Sequence, residues 1–429
     1  MHDSEFEETG EAVDAPASGR AYPPSVQAGI PNLGVLPEGW KRYRLGELVT
    51  PVERPAALRE GHIYQLVTAK RNRGGIVARE KLTADQIRTK TQFLVKAGDF
   101  LLSNRQISHG GCGVLPEQLD GALVSNEYTA LRATALLDPG FLTALSHSVY
   151  FQQTCFHSSV GIHVEKLVFR LNDWLSWPFN IPPLEEQRRI ADVLETWDRA
   201  IVDTERLISK NRIRKSALLQ LAFQNLPMRP LGEAAKIWFS GVDKKIDPKE
   251  RSVILCNYMD VFHNARITRD LPFTRGTATA REIAQNALKR NDVVFTKDSE
   301  TADEIAEPAL VADDIENLVC GYHLAVARPI EGRAHGPFIA QAMRHPRTRW
   351  QFRRIANGVV RFGLTLDAVE QAEIFLPDVE VQVRVAATLE SEDRLIEALS
   401  GQAVSLRVQR RELMQRLLSG QWRLRREAV

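Results

Sequence analysis

The chain has 429 residues, of which 44% are apolar and 26% charged, with 56 basic against 54 acidic groups; this is a globular composition sufficient for about two to four domains. It contains no run of 18 apolar residues and its N-terminus is acidic, so neither a membrane-spanning helix nor a signal peptide is expected. The four cysteines, Cys112, Cys155, Cys256 and Cys320, form no CxxC pair, so reduced thiols in a cytoplasmic protein are expected rather than disulfides or a structural zinc site. Charge is distributed unevenly. Residues 1–20 hold six acidic groups (Asp3, Glu5, Glu7, Glu8, Glu11, Asp14) and one basic group, Arg20, leaving a formal +7 on the remainder. Among the basic residues, 42 are Arg and 14 are Lys. That excess reflects either genome composition or a need for the bidentate contacts Arg makes with phosphate and guanine.

In chain order, residues 1–36 are poor in apolar groups and read as a disordered acidic tail. A first globular stretch, 37–180, mixes strand candidates Ile63–Thr68, Phe93–Val95 and Phe100–Ser103 with a helix candidate, Leu142–Phe156. A long helical segment follows at 181–226. A second globular stretch, 227–375, has strand candidates Val253–Cys256, Asp292–Thr296 and Ala325–Arg328 and a helix candidate Gly336–Ile355. A second long helical segment occupies 376–425. The fold class is therefore α+β, with two globular domains and two long helices.

The chain is also written twice. IPPLEEQRRIADVLETWDRAI at 181–201 and LPDVEVQVRVAATLESEDRLI at 376–396 share ten identities in 21 ungapped positions, among them Pro182/Pro377, Gln187/Gln382 and Asp198/Asp393. Weaker echoes lie upstream: Leu45-Gly46-Glu47 with Leu231-Gly232-Glu233, GDFLLSNRQ at 98–106 with NDVVFTKDS at 291–299, and EYTALRA at 127–133 with YHLAVAR at 322–328. After each Pro-led start, apolar residues fall at alternating steps of three and four. The first stripe runs from Ile190 to Ala222 and the second from Val385 to Leu417, interrupted by Thr204, Asn211, Lys215, Glu392 and Arg410. Equal length and phase favour the two helices packing on each other over two connectors lying on domain surfaces. The two halves would then be related by a pseudo-two-fold axis.

No catalytic residue is predicted. GxxxxGK[ST], GxGxxG and HExxH motifs are absent, and His147, His157 and His163 are not at metal-ligand spacing. Nucleic-acid contact has better support. Lys70, Arg71, Asn72 and Arg73 precede Gly74-Gly75 after a strand candidate, and Asn104, Arg105, Gln106 and His109 follow another. In the second stretch Arg344, Arg347, Arg349, Arg353, Arg354 and Arg361 cluster around Trp350 and Phe352. Arg, Asn and Gln reach base edges bidentately, whereas clustered Arg neutralises phosphates. The expected DNA-contacting set is Lys70, Arg71, Asn72, Arg73, Asn104, Arg105, Gln106, His109, Arg349, Arg353, Arg354 and Arg361.

With these residues in hand, the chain resembles the specificity subunits of type I restriction-modification systems. PPLEEQ before a long helix, the RLGELV and PLGEAA openings at 44–49 and 230–235, and GDFLLSNRQ at 98–106 carry the resemblance over residues 40–425. The second repeat departs from the pattern, with Asp378 and Val381 in place of Pro and Glu. The resemblance implies two target recognition domains, each reading half of a split double-stranded DNA site. It implies long antiparallel helices that set the gap and dock two modification (methyltransferase) subunits, with ATP-dependent restriction subunits in the full assembly. It implies no cofactor on this chain; S-adenosylmethionine, ATP and Mg2+ would sit on the partners. A modification-only or other phage-defence assembly without a restriction partner is the alternative setting.

Overall fold

Both apolar stripes fold as helices. In the computed structural model, which describes residues 22–161, 163 and 167–424, the first long helix runs Leu184–Ala222 and the second Val379–Leu418. The chain divides into two compact units, one formed by the residues up to Asp203 with those from Ala403 onward, the other by Thr204–Gln402. Each long helix therefore contributes a segment to each unit. In the first unit Ile190 and Leu194 share a core with Met414 and Leu417, and Asp198 pairs with Arg410 at 2.7 Å. In the second, Leu219 and Phe223 share a core with Ala386 and Leu389, Arg214 pairs with Glu392 at 2.6 Å, and Lys215 pairs with Asp393. Within each unit the two segments thus run antiparallel. Three of the five polar interruptions, Lys215, Glu392 and Arg410, form these ion pairs, which gives the stripe a register that apolar contacts alone do not specify. Asn211 instead donates to Leu207 O of its own helix at 2.8 Å.

In the first unit a two-stranded antiparallel ribbon, Lys41–Arg44 with Pro178–Ile181, holds the two ends of the globular stretch side by side. The short helix Leu45–Leu48 follows, its Leu45 fully buried and its first N–H bonded to Trp177 O at 2.9 Å. Beyond it lie two sheets. One orders Val49–Pro51, Tyr128–Ala133, Phe100–Ser103 and Cys112–Val114; the other orders Pro55–Ala56, Gln92–Leu94, Leu123–Ser125, Ile63–Ala69 and Ile76–Thr83.

The second unit repeats this frame around different contents. Its ribbon is Met228–Pro230 with Glu373–Phe375, and Leu231, fully buried, opens a short helix by donating to Ala372 O at 2.8 Å. A five-stranded sheet orders Ala235–Phe239, Leu324–Pro329, Val293–Thr296, Pro308–Val311 and Arg266–Ile267; a three-stranded sheet orders Thr274–Ala278, Arg251–Cys256 and Leu318–Cys320.

Two buried polar devices explain why certain letters recur in both halves. Gln187, 1% exposed, donates to Pro182 O and Leu136 O, both at 2.9 Å, and accepts from Asp138 N at 2.8 Å. Gln382, fully buried, donates to Pro377 O at 2.7 Å and Arg333 O at 3.0 Å, and accepts from His335 N at 2.9 Å. Each Gln ties the start of its long helix to the residue that caps a shorter one, Pro139–Ser146 or Gly336–Arg344. The second device is a buried carboxylate. Asp99 accepts from Lys96 N at 2.8 Å and from Arg54 and Arg132; Asp292 accepts from Lys289 N at 2.8 Å and from Arg328. Burial alone would raise the pKa of Asp99, but the bonds from Arg54, Lys96 and Arg132 outweigh it and hold it below the ordinary value. Where the second repeat departs from the first, the reason is local: Glu186 accepts from Arg423 and Trp40, and Val381 stands at the matching position.

The structure corrects three expectations. Leu142–Phe156 is not one helix but parts of two, Pro139–Ser146 and Val149–His157, because Ser148 caps a new start by accepting from Phe151 N at 3.2 Å. Gly336–Ile355 is likewise divided into Gly336–Arg344 and Pro346–Ile355, since Pro346 can neither donate to nor sterically continue the preceding turn. Residues 1–21 of the expected tail lie outside the described residues, but residues 22–36 pack on the first unit rather than being disordered. Ser25 and Val26 are buried, Tyr22 meets Phe156 edge-on, and Gly29 O bonds the His157 ring.

Candidate nucleic-acid interface

In the first unit, strands Ile63–Ala69 and Ile76–Thr83 pair antiparallel, and Lys70–Gly75 connects them. The connection is closed by Lys70 N donating to Gly75 O at 2.9 Å. Asn72 and Arg73 both have positive φ, +57° and +62°, a conformation Asn tolerates and Arg adopts at a cost of about 1 kcal/mol. What holds them there is a second loop. Asn72 N donates to His109 O at 2.8 Å, and Arg71 Nε donates to Gln106 Oε1 at 2.6 Å. Residues 70–73 and 104–106 are thereby brought together, although more than 30 positions separate them in the chain.

The side chains in this cluster differ in character. Lys70, Arg71, Asn72 and Arg105 are exposed. Arg105 forms a forked pair with Glu127 at 2.5 and 3.0 Å. Asn104 accepts from Thr129 at 2.9 Å and lines a groove of about 510 Å³ with Arg105, Glu127, Val168 and Phe169. Arg73 is half-buried, and its Nε has no hydrogen-bond partner among the described residues. Burial lowers its pKa, Cys112 opposes the shift and Arg411 reinforces it. The same neighbourhood holds His147, pushed down to about 4 by burial, then by Arg410 and Arg73, against the opposing pull of Asp198. His109 does not belong to an exposed surface: it is 1% exposed, with Nδ1 3.0 Å from Ser25 Oγ. That corrects its expected place among the contacting residues, because the docked segment 22–36 covers it.

In the second unit the Arg cluster separates into different roles. Arg344 is interior, donating to Ala265 O and Pro308 O. Arg349 pairs with Glu307 at 2.6 Å and Arg353 with Asp303 at 3.0 Å. Phe352 is fully buried and belongs to the core. Arg354 stacks on exposed Trp350 at 4.6 Å, and these two with Arg347 line a groove of about 500 Å³. Arg361, on an exposed turn beside Val359 and Val360, reaches the ring of His323 at 3.5 Å.

Arg361 leads to residues the sequence did not single out. The strand Val293–Thr296 ends at Lys297, as Phe100–Ser103 ends at Asn104; Lys297 N donates to His323 O, as Asn104 N donates to Glu127 O. Lys297 pairs with Asp298 at 2.8 Å and lies 5.1 Å over the Tyr322 ring, and Asp298 also accepts from His323 at 2.7 Å. Burial would raise the pKa of Asp298, but its bonds to Lys297 and His323 lower it. The echo of GDFLLSNRQ in NDVVFTKDS was the signal. In the second copy Lys297 is followed directly by Asp298, so no cationic run marks the position. Among the described residues no group of three His, Cys, Asp or Glu could hold a metal ion, and no helix is long and apolar enough to cross a membrane.

Residues 37–214 match the family model of the type I restriction modification DNA specificity domain. The chain is similar in structure to the type I restriction-modification system S subunit from M. genitalium, with TM-score 0.57 and 14% identity over 88% of this chain and 96% of that one. It is similar to a chain from a structural study of complex assembly and conformational transition of the type I R-M system, with TM-score 0.55 and 19% identity over 91% of this chain and 100% of that one. The HsdS subunit from Thermoanaerobacter tengcongensis gives TM-score 0.48 and 19% identity over 90% and 98%. At these identities the first two likenesses speak to the fold. No curated protein matches.

Proposed function

We propose that this chain, whose residues 37–214 match the family model of the type I restriction modification DNA specificity domain, is the non-catalytic specificity subunit of a type I restriction-modification complex. Each unit reads one half of a split double-stranded DNA site. The observation that carries this reading is the junction of Lys70–Arg73 with Asn104–Gln106. One backbone bond, Asn72 N to His109 O, and one side-chain bond, Arg71 to Gln106, hold polar and cationic side chains together beside a groove. On a duplex, Arg105 would exchange Glu127 for phosphate or a guanine edge, and Asn104 and Gln106 would present amides to adenine. Each good bidentate contact is worth about 1–3 kcal/mol of discrimination. Lys70, Arg71, Asn72 and Arg73 supply phosphate contacts that set position. In the second unit the contacting set is Arg354 and Arg361, joined by Lys297. Lys297, Arg349 and Arg353 are held by carboxylates and would act only after releasing them. The continuous long helices set the gap between half-sites and dock two methyltransferase subunits, to which restriction subunits add. S-adenosylmethionine, ATP and Mg2+ belong to those partners.

A selection from a randomised duplex library tests this, using the full chain in complex with its methyltransferase subunits. Two enriched blocks separated by an unspecified spacer of fixed length are expected. A single continuous block, or no enrichment, would overturn the reading.

A further inference from the structure

We propose that the acidic segment 1–20 of this chain docks on the cationic loop Lys70–Arg73 of the first unit and competes there with DNA phosphates. The competition rests on the DNA-contacting reading of that loop; the docking does not.

The argument begins with where the chain enters the described structure. Tyr22 packs edge-on against Phe156 at 5.3 Å, and Ser25, 9% exposed, contacts His109 at 3.0 Å. His109 O in turn accepts from Asn72 N at 2.8 Å. The anchor of the N-terminal segment is therefore a single residue removed from the loop. Asp14 lies eleven positions before Ser25, and an extended chain spans at most about 3.3–3.6 Å per residue. The six carboxylates of Asp3, Glu5, Glu7, Glu8, Glu11 and Asp14 are all within reach.

Charge supplies the attraction. Those six acids face one base, Arg20, in their own segment. The loop carries Lys70, Arg71 and Arg73, and Arg411 adds positive potential behind Arg73. Arg73 Nε is a buried donor without a hydrogen-bond partner among the described residues, and a carboxylate or a phosphate oxygen would satisfy it equally well. A tethered carboxylate has the higher effective concentration; a duplex has the greater charge density. The acidic segment would thus suppress weak, purely electrostatic binding while yielding to a site that adds base contacts.

Zero-length carbodiimide cross-linking of the full chain without DNA tests the docking. Lys70 is expected to join carboxylates of residues 3–14 in preference to Lys41, Lys81 and Lys96, and a short competitor duplex should suppress the cross-link. An even spread over those lysines, or none at Lys70, overturns the proposal. The competition is tested in the full chain carrying D3N, E5Q, E7Q, E8Q, E11Q and D14N together. Affinity for a non-cognate duplex should rise on the order of tenfold at about 50 mM salt, and the gain should fade as salt screens the segment. Unchanged affinity at low salt overturns the competition. If instead Arg71→Ala and Arg105→Ala leave duplex binding unaltered, the DNA-contacting reading fails, and the Lys70 cross-link still reports on docking by itself.

Discussion

Replacing Gln187 by Leu removes a buried polar head while nearly preserving side-chain volume, so the cost isolates hydrogen bonding from packing. Three bonds are lost: two donated, to Pro182 O and Leu136 O at 2.9 Å, and one accepted, from Asp138 N at 2.8 Å. Pro182 O is buried and stays unsatisfied, a penalty of about 1–3 kcal/mol, whereas the other two groups lie nearer solvent and lose about 0.5–1.5 kcal/mol each. The sum is about 2–6 kcal/mol. Gln382→Leu should cost the same in the second unit, since its bonds to Pro377 O, Arg333 O and His335 N repeat the pattern at 2.7, 3.0 and 2.9 Å. Urea unfolding monitored by circular dichroism gives the loss. Native-state hydrogen exchange locates it, with the Asp138 amide accelerated about 100-fold or more in the first variant and the His335 amide in the second. Glu195→Ala, on the same helix and in an exposed pair with Arg199 at 3.8 Å, should stay within about 0.5 kcal/mol. A loss below about 1 kcal/mol for either Gln variant would refute the idea that these side chains tie each long helix to its unit.

His147, with a pKa of about 4 in the folded chain against 6.5 for the free side chain, is neutral when folded. Its contribution is fully present above pH 6.5 and is lost as pH falls toward 4, amounting to about 2 kcal/mol at pH 5; His147→Gln should flatten the urea midpoint between pH 7 and 5. Asp99, held below its ordinary pKa, acts in the same sense in a more acidic window: its stabilisation is present above the unfolded carboxylate value and lost as pH falls through the folded one. Asp99→Asn should cost about 2 kcal/mol at neutral pH by thermal melting. Arg105→Ala should leave the melting temperature unchanged, because its pair with Glu127 is solvent-exposed, yet weaken duplex binding measured by anisotropy; equal affinity would remove Arg105 from the interface. Inserting four residues into both long helices adds about 6 Å of rise, roughly two base pairs, and a selected site with an unaltered spacer would contradict the gap-setting role.

The frame was legible in the sequence because it is built from periodic or repeated letters. The stripes beginning at Ile190 and Val385 mark helices, and the matched Gln187 and Gln382 mark the same bonds twice. The candidate surface was legible only in part. Arg density drew attention to Arg349 and Arg353, but their partners Glu307 and Asp303 are more than 40 positions away, and no local pattern reveals such a pairing. His109 looked like a loop residue because the segment that covers it, around Ser25, is remote in sequence and low in apolar content. Composition averages over a segment, whereas burial at Ser25 and Val26 is decided by a few side chains. Lys297 and His323 were hidden for the converse reason: Asp298 neutralises their local charge.

The ribbons Lys41–Arg44 with Pro178–Ile181 and Met228–Pro230 with Glu373–Phe375 carry a consequence for how such a chain can change over time. Each places the first and last residues of a globular stretch on adjacent strands, about 4.8 Å apart. Everything between them joins the rest of the chain covalently at one narrow doorway, its other links to the long helices being non-covalent. A foreign segment whose ends meet at strand spacing could enter through a single recombination event, provided that it brings its own short entry helix and its own partners for the Gln tie. New half-site preferences could then be acquired by exchange of one continuous stretch of gene, without redesigning the helices.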